Sequence, residues 1–546
     1  MQTNTRALSY LHLFLILICS AWNNSSTALI DLDDPTVTDF VNSTTWRAPS
    51  PQSKASIVLL LSNLGFINIL QEPLYCRTNT LNQRTLLDLP LFMSEWRTEK
   101  CRTFGAYFFY NQTSDMNFTS NSRNINSYLA VGQDSFINSL EEFLINIQAL
   151  PGFSQFDPNA ALAILNLFEN FTVQERRAGV MLYGRKRFND WALNVMAPFY
   201  YQERNYFVNQ DIQNDIQEIV NSFLPGSGTE EDSQAQEEFQ EQFLIADRIG
   251  IGDTRIELDY PLYCSETWKV RIGGLATLPT NCTFEKGLLG NEFELLKNRP
   301  LLDIQGLSEA ITSPSTATQA REQGISYLLG ALTQLSSILL NAPLGYHGHL
   351  GLGVLARSYS CLGNFINRPW AQNIKFKSRW SVEYLFPRRY TRAFVSAIDY
   401  AEFARRDFND PAQADSNYDF IVEQLTDRLY PQALSAVVWP GVVFRSTSRN
   451  MYERENWRFF LGTDLWIRTA EHLYDIKLDL QSTSKLLIKR AQRPLAYASK
   501  LMAGIAYKSV RAYNREWIFS LNGDTTYSGS GIGNDFTLTF NIDVYF

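Results

Sequence analysis

Apolar side chains recur at every second residue in several stretches of the chain. The run ending at Phe546 is the plainest. Phe536, Leu538, Phe540, Ile542, Val544 and Phe546 share one face, and Thr537, Thr539, Asn541, Asp543 and Tyr545 share the other. A period of two marks a β-strand whose faces meet different surroundings. The alternation returns in 373–386, where Ile374, Phe376, Trp380, Val382, Tyr384 and Phe386 oppose Lys375, Lys377, Arg379 and Glu383. In 456–468, Trp457, Phe459, Leu461, Leu465 and Ile467 oppose Arg458, Asp464 and Arg468. In 254–262, Ile256, Leu258, Tyr260 and Leu262 oppose Arg255, Glu257 and Asp259, and in 191–201 Trp191, Leu193, Val195, Phe199 and Tyr201 share a face. Charges at alternate strand positions are costly in a dry core and cheap where they line water.

The strands pair into hairpins: 82–92 with 101–112, 176–187 with 190–203, 249–262 with 266–278, 345–360 with 373–387, 439–448 with 455–468, and 496–508 with 512–522, leaving 533–546 last. Counting back from a final strand that runs toward the periplasm, the short turns all fall on one side. The long links 113–175, 204–248, 279–344, 388–438 and 469–495 fall on the other. Transmembrane barrels have short turns on one side and long loops on the opposite one. Trp96, Trp191, Trp268, Trp457 and Trp517 lie in or just after the short turns, as an interfacial belt requires. The expected fold is all-β: a transmembrane antiparallel barrel of about fourteen strands, with helical segments in long outer loops. Counting Ser56–Leu70 as a strand gives fourteen and dropping 82–92 gives twelve; Ser56–Leu70 also reads as a short helix or a plug in the lumen. The segment from Arg84 to Phe92 repeats the pattern of Arg255 to Tyr263, which supports a strand there. Helical spacing occurs in Ser135–Phe171, Gln319–Leu340, Thr391–Arg406 and Tyr418–Leu434, and acidic 225–242 reads as a mobile loop.

The final strand resembles the C-terminal signature strand of bacterial outer-membrane proteins, with Phe536, Leu538, Phe540, Ile542, Val544 and Phe546 as its apolar face. That resemblance implies the cell outer membrane of a Gram-negative bacterium, with outer-membrane lipid and the barrel-assembly machinery as partners. Composition agrees: aromatic residues are 13 % and charged residues 19 % of 546, and no apolar window of helical-span length follows the N-terminus. Residues 1–21 read as a Sec signal peptide, with Arg6, apolar 8–18 and a small-residue cleavage site at Cys19-Ser20-Ala21. Residues 22–80 are then an N-terminal plug or first strand, and 81–546 the barrel. A net charge of −8 excludes nucleic acid as a partner. The oligomeric state stays open, as does disulfide pairing among Cys76, Cys101, Cys264, Cys282 and Cys361, although Cys264 and Cys282 fall at opposite ends of one strand.

Chemistry is sparse. His347 and His349, at i and i+2, would point inward near the outer mouth, too few ligands for a metal. No cofactor motif occurs, and a barrel hydrolase, the enzyme alternative, lacks a serine beside those histidines. The inward charges say more. Lys269, Arg271, Lys375, Lys377, Arg379, Arg458 and Arg468 face Glu257, Asp259, Glu383, Asp464 and Asp543 across the lumen. They either set the selectivity of a pore, with a slight anion preference, or close on one another as ion pairs inside a plugged barrel. The leading expectation is an outer-membrane, porin-like channel for small solutes. An adhesin or structural protein working through its outer loops is the second.

Overall fold

The computed structural model describes residues 51–72, 84–90, 102–115, 134–148, 172–207, 245–265, 267–286, 338, 340, 343–477, 486–511 and 515–546. The strands, in chain order, are β1 (Arg102–Asp115), β2 (Thr172–Phe188), β3 (Trp191–Phe207), β4 (Ile245–Ile251), β5 (Thr254–Cys264), β6 (Trp268–Leu278), β7 (Cys282–Lys286), β8 (Gly351–Cys361) and β9 (Ile374–Leu385). They continue with β10 (Arg388–Phe394), β11 (Gln432–Trp439), β12 (Gly441–Arg454), β13 (Trp457–Arg468), β14 (His472–Tyr474), β15 (Ala496–Arg511), β16 (Arg515–Ser530) and β17 (Asn534–Tyr545).

Twelve of them close a barrel: β1, β2, β3, β5, β6, β8, β9, β12, β13, β15, β16 and β17, each antiparallel to its neighbours. The last strand seals the sheet against the first, with Phe108 opposite Phe540 and Thr103 opposite Tyr545. Closure leaves no barrel strand with a free edge. The smaller of the two expected counts is therefore correct. Five of the six expected hairpins form; the sixth does not, because residues 84–90 are no strand but a turn centred on the 3₁₀ segment Leu86–Asp88. Its adjacent Leu86 and Leu87 break the alternation that a two-faced strand needs. Strand β1 pairs instead with β2 and β17. The short strands β4 and β7 extend the β5–β6 hairpin past the barrel rim. β3 meets β4 with Phe199 opposite Ile251, then β5 with Met196 opposite Arg255, and Gly252-Asp253 absorbs the step.

Alternation does what the period of two requires. Phe104, Leu182, Leu258, Val354, Val382, Leu461, Leu521 and Leu538 stand exposed on the outer wall, while Asn111, Asn194, Glu257, Glu383, Asp464, Asn522 and Asn541 are buried inside. An outer wall of exposed apolar rows and a polar interior invert a soluble core, as lipid demands. The architecture is that of bacterial outer-membrane β-barrel proteins.

At the end where β17 finishes, β2 turns into β3 at 189–190, β8 leads into β9 through 362–373, and β12 turns into β13 at 455–456, so these short connections share one side as expected. At the opposite end sits a second layer. Strands β10, β11 and β14 form a three-stranded sheet. Helices α1 (Pro51–Asn63) and α2 (Phe66–Leu70) belong to the same layer. So do α4 (Tyr400–Arg405) and α5 (Ala414–Leu429). Their shared cluster is built from Ile57, Val58, Leu61, Phe403, Phe420 and Ile421. Residues 56–70 are thus helical, not a strand. Helix α3 (Asp134–Gln148) sets Phe143 against Phe66, with ring centroids 5.2 Å apart. Of the expected helix over Thr391–Arg406, only 400–405 is helical; 391–394 belongs to β10, where Ala393 and Phe394 pack under β11. The helix expected from Tyr418 ends at Leu429, and 432–434 open β11. The segments 225–242 and most of 319–340 lie outside the described residues, as do Cys76 and Cys101. Cys264, Cys282 and Cys361 are free thiols.

Replacing Leu461, 62 % exposed on the outer wall, by arginine places a charge among acyl chains. The expected loss is about 2–4 kcal/mol in equilibrium refolding into phosphatidylcholine vesicles. An unchanged midpoint would mean that this wall does not face lipid.

Candidate functional site

The barrel is not hollow. Residues 84–90 lie inside it, and the two sides of this plug meet two different walls. Leu86, Leu87 and Leu89 pack against Tyr107, Phe109, Met181, Tyr183, Met196 and Tyr200, the inward rows of β1, β2 and β3. Each leucine side chain so buried contributes about 1.5–3 kcal/mol of transfer free energy. The polar side of the plug turns to the charged wall. Asp88 accepts from Arg255 at 3.0 Å, from the Trp466 indole N–H at 3.2 Å and from the Tyr346 hydroxyl. Arg84 pairs with Asp464, which also holds Arg445 at 3.1 Å.

A segment outside any sheet brings backbone carbonyls into the interior without ladder partners, and buried carbonyls must be satisfied. Arginines do this. Arg177 donates to Arg84 O at 2.8 Å, Arg255 and Arg445 to Leu87 O at 2.8 and 3.3 Å, Arg84 to Asp88 O at 2.7 Å, and Arg449 to Pro90 O.

Most of the charges expected in the lumen are there, as a closed network rather than a lining of free rings. Glu257 takes Arg357 at 2.5 Å and Arg379, and Asp259 takes Arg357 at 2.9 Å and Arg271. Glu383 takes Arg255 at 2.8 Å. Lys375 and Arg458 share Glu453 near the short-turn end, where Lys269 and Lys377 also face inward, half-exposed. Asp543 is buried on the inner face of β17. Arg468 stands inward at the opposite rim, buried, with no ion-pair partner among the described residues.

His347 and His349 are not on a strand. They sit in the irregular turn before β8, His347 with φ of 54°, and both rings pack on Tyr390. His347 Nε2 accepts from Arg493 at 2.8 Å, and His349 Nδ1 bonds the Phe386 carbonyl at 2.8 Å. Burial, reinforced by Arg493 and Arg392, pushes the His347 pKa well down, and burial takes His349 to about 4. Both rings are neutral at pH 7. Among the described residues no group of three or more His, Cys, Asp or Glu is placed to hold a metal. Beside this turn, Glu471 ties the outer sheet to the rim through Arg392 at 2.8 Å and the Arg493 backbone N–H at 3.2 Å. Burial alone would raise its pKa, but Arg392, Arg493 and Arg468 outweigh that and hold it at about 2.

Trp191, Trp268 and Trp457 stand exposed at the first residue of their strands, Trp517 half-buried near the start of β16, all at the short-turn end; Trp96 lies outside the described residues. The apolar face of β17 points outward, and both edges of the strand are paired. The sequence reading missed Arg84, Asp88, Arg177, Arg445, Arg449 and Trp466 as site residues. One signal was available for Trp466: it shares an inward face with Arg458, Asp464 and Arg468.

No family model matches the chain, and no curated protein does. Among solved structures the barrel is similar to an outer membrane channel from Pseudomonas putida F1, at 9 % identity and a TM-score of 0.36, covering 83 % of this chain and 97 % of that one. It is similar also to the transport unit of the autotransporter AIDA-I from Escherichia coli, at 5 % identity and TM-score 0.31, covering 84 % and 95 %. The Ralstonia pickettii toluene transporter TbuX matches at 9 % identity and TM-score 0.30, covering 82 % and 90 %.

Asp464→Ala leaves Arg84 and Arg445 buried without their carboxylate. A loss of about 3–5 kcal/mol is expected, seen as a lower temperature for the heat-induced mobility shift on unboiled gels. For Glu471 the sign follows from its lowered pKa. Its contribution is complete above about 4.5, its ordinary value, and is lost as pH falls toward 2. Amide exchange in β10 and β14 should therefore accelerate between pH 4.5 and 2, and Glu471→Gln should abolish that dependence.

Proposed function

We propose that this protein is an outer-membrane channel for small solutes, held closed at rest by the plug at residues 84–90. The supporting observation is how the plug is held. No strand pairing ties it to the wall; side-chain bonds and three packed leucines do. Such a segment can shift without breaking the barrel ladder, which carries the fold. Behind it the lumen is polar, with Asn194, Asn522 and Asn541 among its buried side chains, the surface a hydrated solute needs. With twelve strands the bore is narrower than in porins of sixteen or more, which favours one solute class over general diffusion.

A second reading has its own support. The mid-barrel charges around Glu257, Asp259 and Glu383 are paired, so the barrel also suits a silent anchor for the helix and sheet layer on its loop side. That layer would then be the working surface of an adhesin or structural protein. The hydrolase reading gains no support from the two histidines: each has one ring nitrogen engaged, His347 Nε2 by Arg493 and His349 Nδ1 by the Phe386 carbonyl.

Planar-bilayer recording separates the two. The wild type should show rare, small openings. Asp88→Asn weakens the grip of Arg255, Tyr346 and Trp466 on the plug and should raise open probability at least several-fold. Silence from both proteins, with barrels verified by heat-modifiable migration, would discard the channel.

A further inference from the structure

Between the plug and the loop-side layer lies a cavity of about 510 Å³, part of it open to solvent. Arginines dominate its lining: Arg84, Arg177, Arg204, Arg468 and Arg493, against the single carboxylate Glu471. The carboxylates behind that lining do not restore the balance. Asp464 is shared by Arg84 and Arg445, Glu175 by Arg177 and Arg204, and Glu471 by Arg392 and Arg493. Seven guanidinium groups, counting Arg468, thus draw on these three carboxylates, while Asp88 and Asp535, already paired with Arg255 and Lys500, act on Arg84 from farther away. Uncompensated positive charge in a protein interior is costly, because neither water nor a partner solvates it fully.

Hydrogen bonding points the same way. Arg468 is 3 % exposed, and its Nε and Nη2 have no hydrogen-bond partner among the described residues. Arg84, equally buried, leaves Nε and Nη1 unpartnered, and Gln202 leaves its Nε2. All three residues line the cavity. Five donor atoms without acceptors among the described residues therefore belong to side chains that line one polar space. Water could take the hydrogen bonds but not the charge. An oxyanion takes both, and guanidinium forks match its oxygens in geometry.

We propose that this cavity binds a small oxyanion, a carboxylate or a phosphate, with Arg468 as its principal ligand and Arg84 and Gln202 beside it. Because Arg84 is also the first residue of the plug, an occupant draws on the donors that surround the closed segment. Binding does not require that anything pass through the barrel, so the site and the channel reading stand or fall separately.

The test is titration calorimetry on the full chain in detergent, with inorganic phosphate and with acetate as probes. Saturable binding of either by the wild type is expected, weakened about tenfold or more in Arg468→Gln, the worth of one charge-assisted contact. The tighter of the two probes names the class of ligand. The same anion should raise the wild-type unfolding temperature and not that of the variant. Without anion, Arg468→Gln should be no less stable than wild type, because it removes an unpaired buried charge. If Arg468→Gln does not fold, Arg468→Lys replaces it, keeping the charge but losing the fork, and weaker binding is again expected. No wild-type binding up to tens of millimolar, or unchanged binding in a folded variant, overturns the site. Binding from a protein that never conducts would leave the site in place and remove the channel.

Discussion

The capture of backbone carbonyls by arginine side chains is the interaction on which the interior depends. A closed sheet satisfies its own backbone completely, so its inner face needs nothing further. A segment that enters that space without joining the sheet must find donors elsewhere. Here four carbonyls between Arg84 and Pro90 find them on guanidinium groups, most of which reach in from the wall. Those cations then require carboxylates, and the barrel places them on the facing strands. The charges that touch residues 84–90 follow from the presence of the plug.

This accounts for the division of the lumen into two walls. Strands β1 to β3 present Tyr107, Met181, Tyr183 and Met196 where leucines lean on them, and β2 and β3 add Glu175, Arg177 and Arg204, of which Arg177 reaches the Arg84 carbonyl. From β5 to β13 the wall presents arginines and carboxylates because the peptide groups and Asp88 lie there. The plug is amphipathic on the scale of a single turn, and the barrel is complementary to it strand by strand. Polar lining alone would not need such sorting.

The barrel itself was legible from alternation, since lipid outside and water or ions inside impose opposite demands on successive residues. Phe546 and its row, the Lys375–Glu383 strand and the Trp457–Arg468 strand needed no other information. The plug was not legible. Arg84-Thr85-Leu86-Leu87-Asp88-Leu89-Pro90 looks like the strand segment from Arg255 to Pro261, and nothing local says that one donates to the other across the lumen. The same blindness hid the pairing of charges: whether Arg379 lines a pore or meets Glu257 depends on contacts between residues 122 positions apart. The outer sheet of β10, β11 and β14 was missed because its short strands sit next to helical stretches, and pairing with β11 overrode the helical spacing around Thr391.

The join between β17 and β1 has a consequence for how the molecule is made. Ribosomal synthesis delivers the plug before any barrel strand and the sealing strand last, so Arg84 waits for Asp464, 380 residues later. Pairs between neighbouring strands, such as Arg445 with Asp464 and Arg271 with Asp259, do not depend on that join, whereas the contact of Arg84 with Asp464 spans nearly the whole barrel sequence. Sealing the cylinder and seating its stopper thus both depend on contacts between the two ends of the barrel sequence.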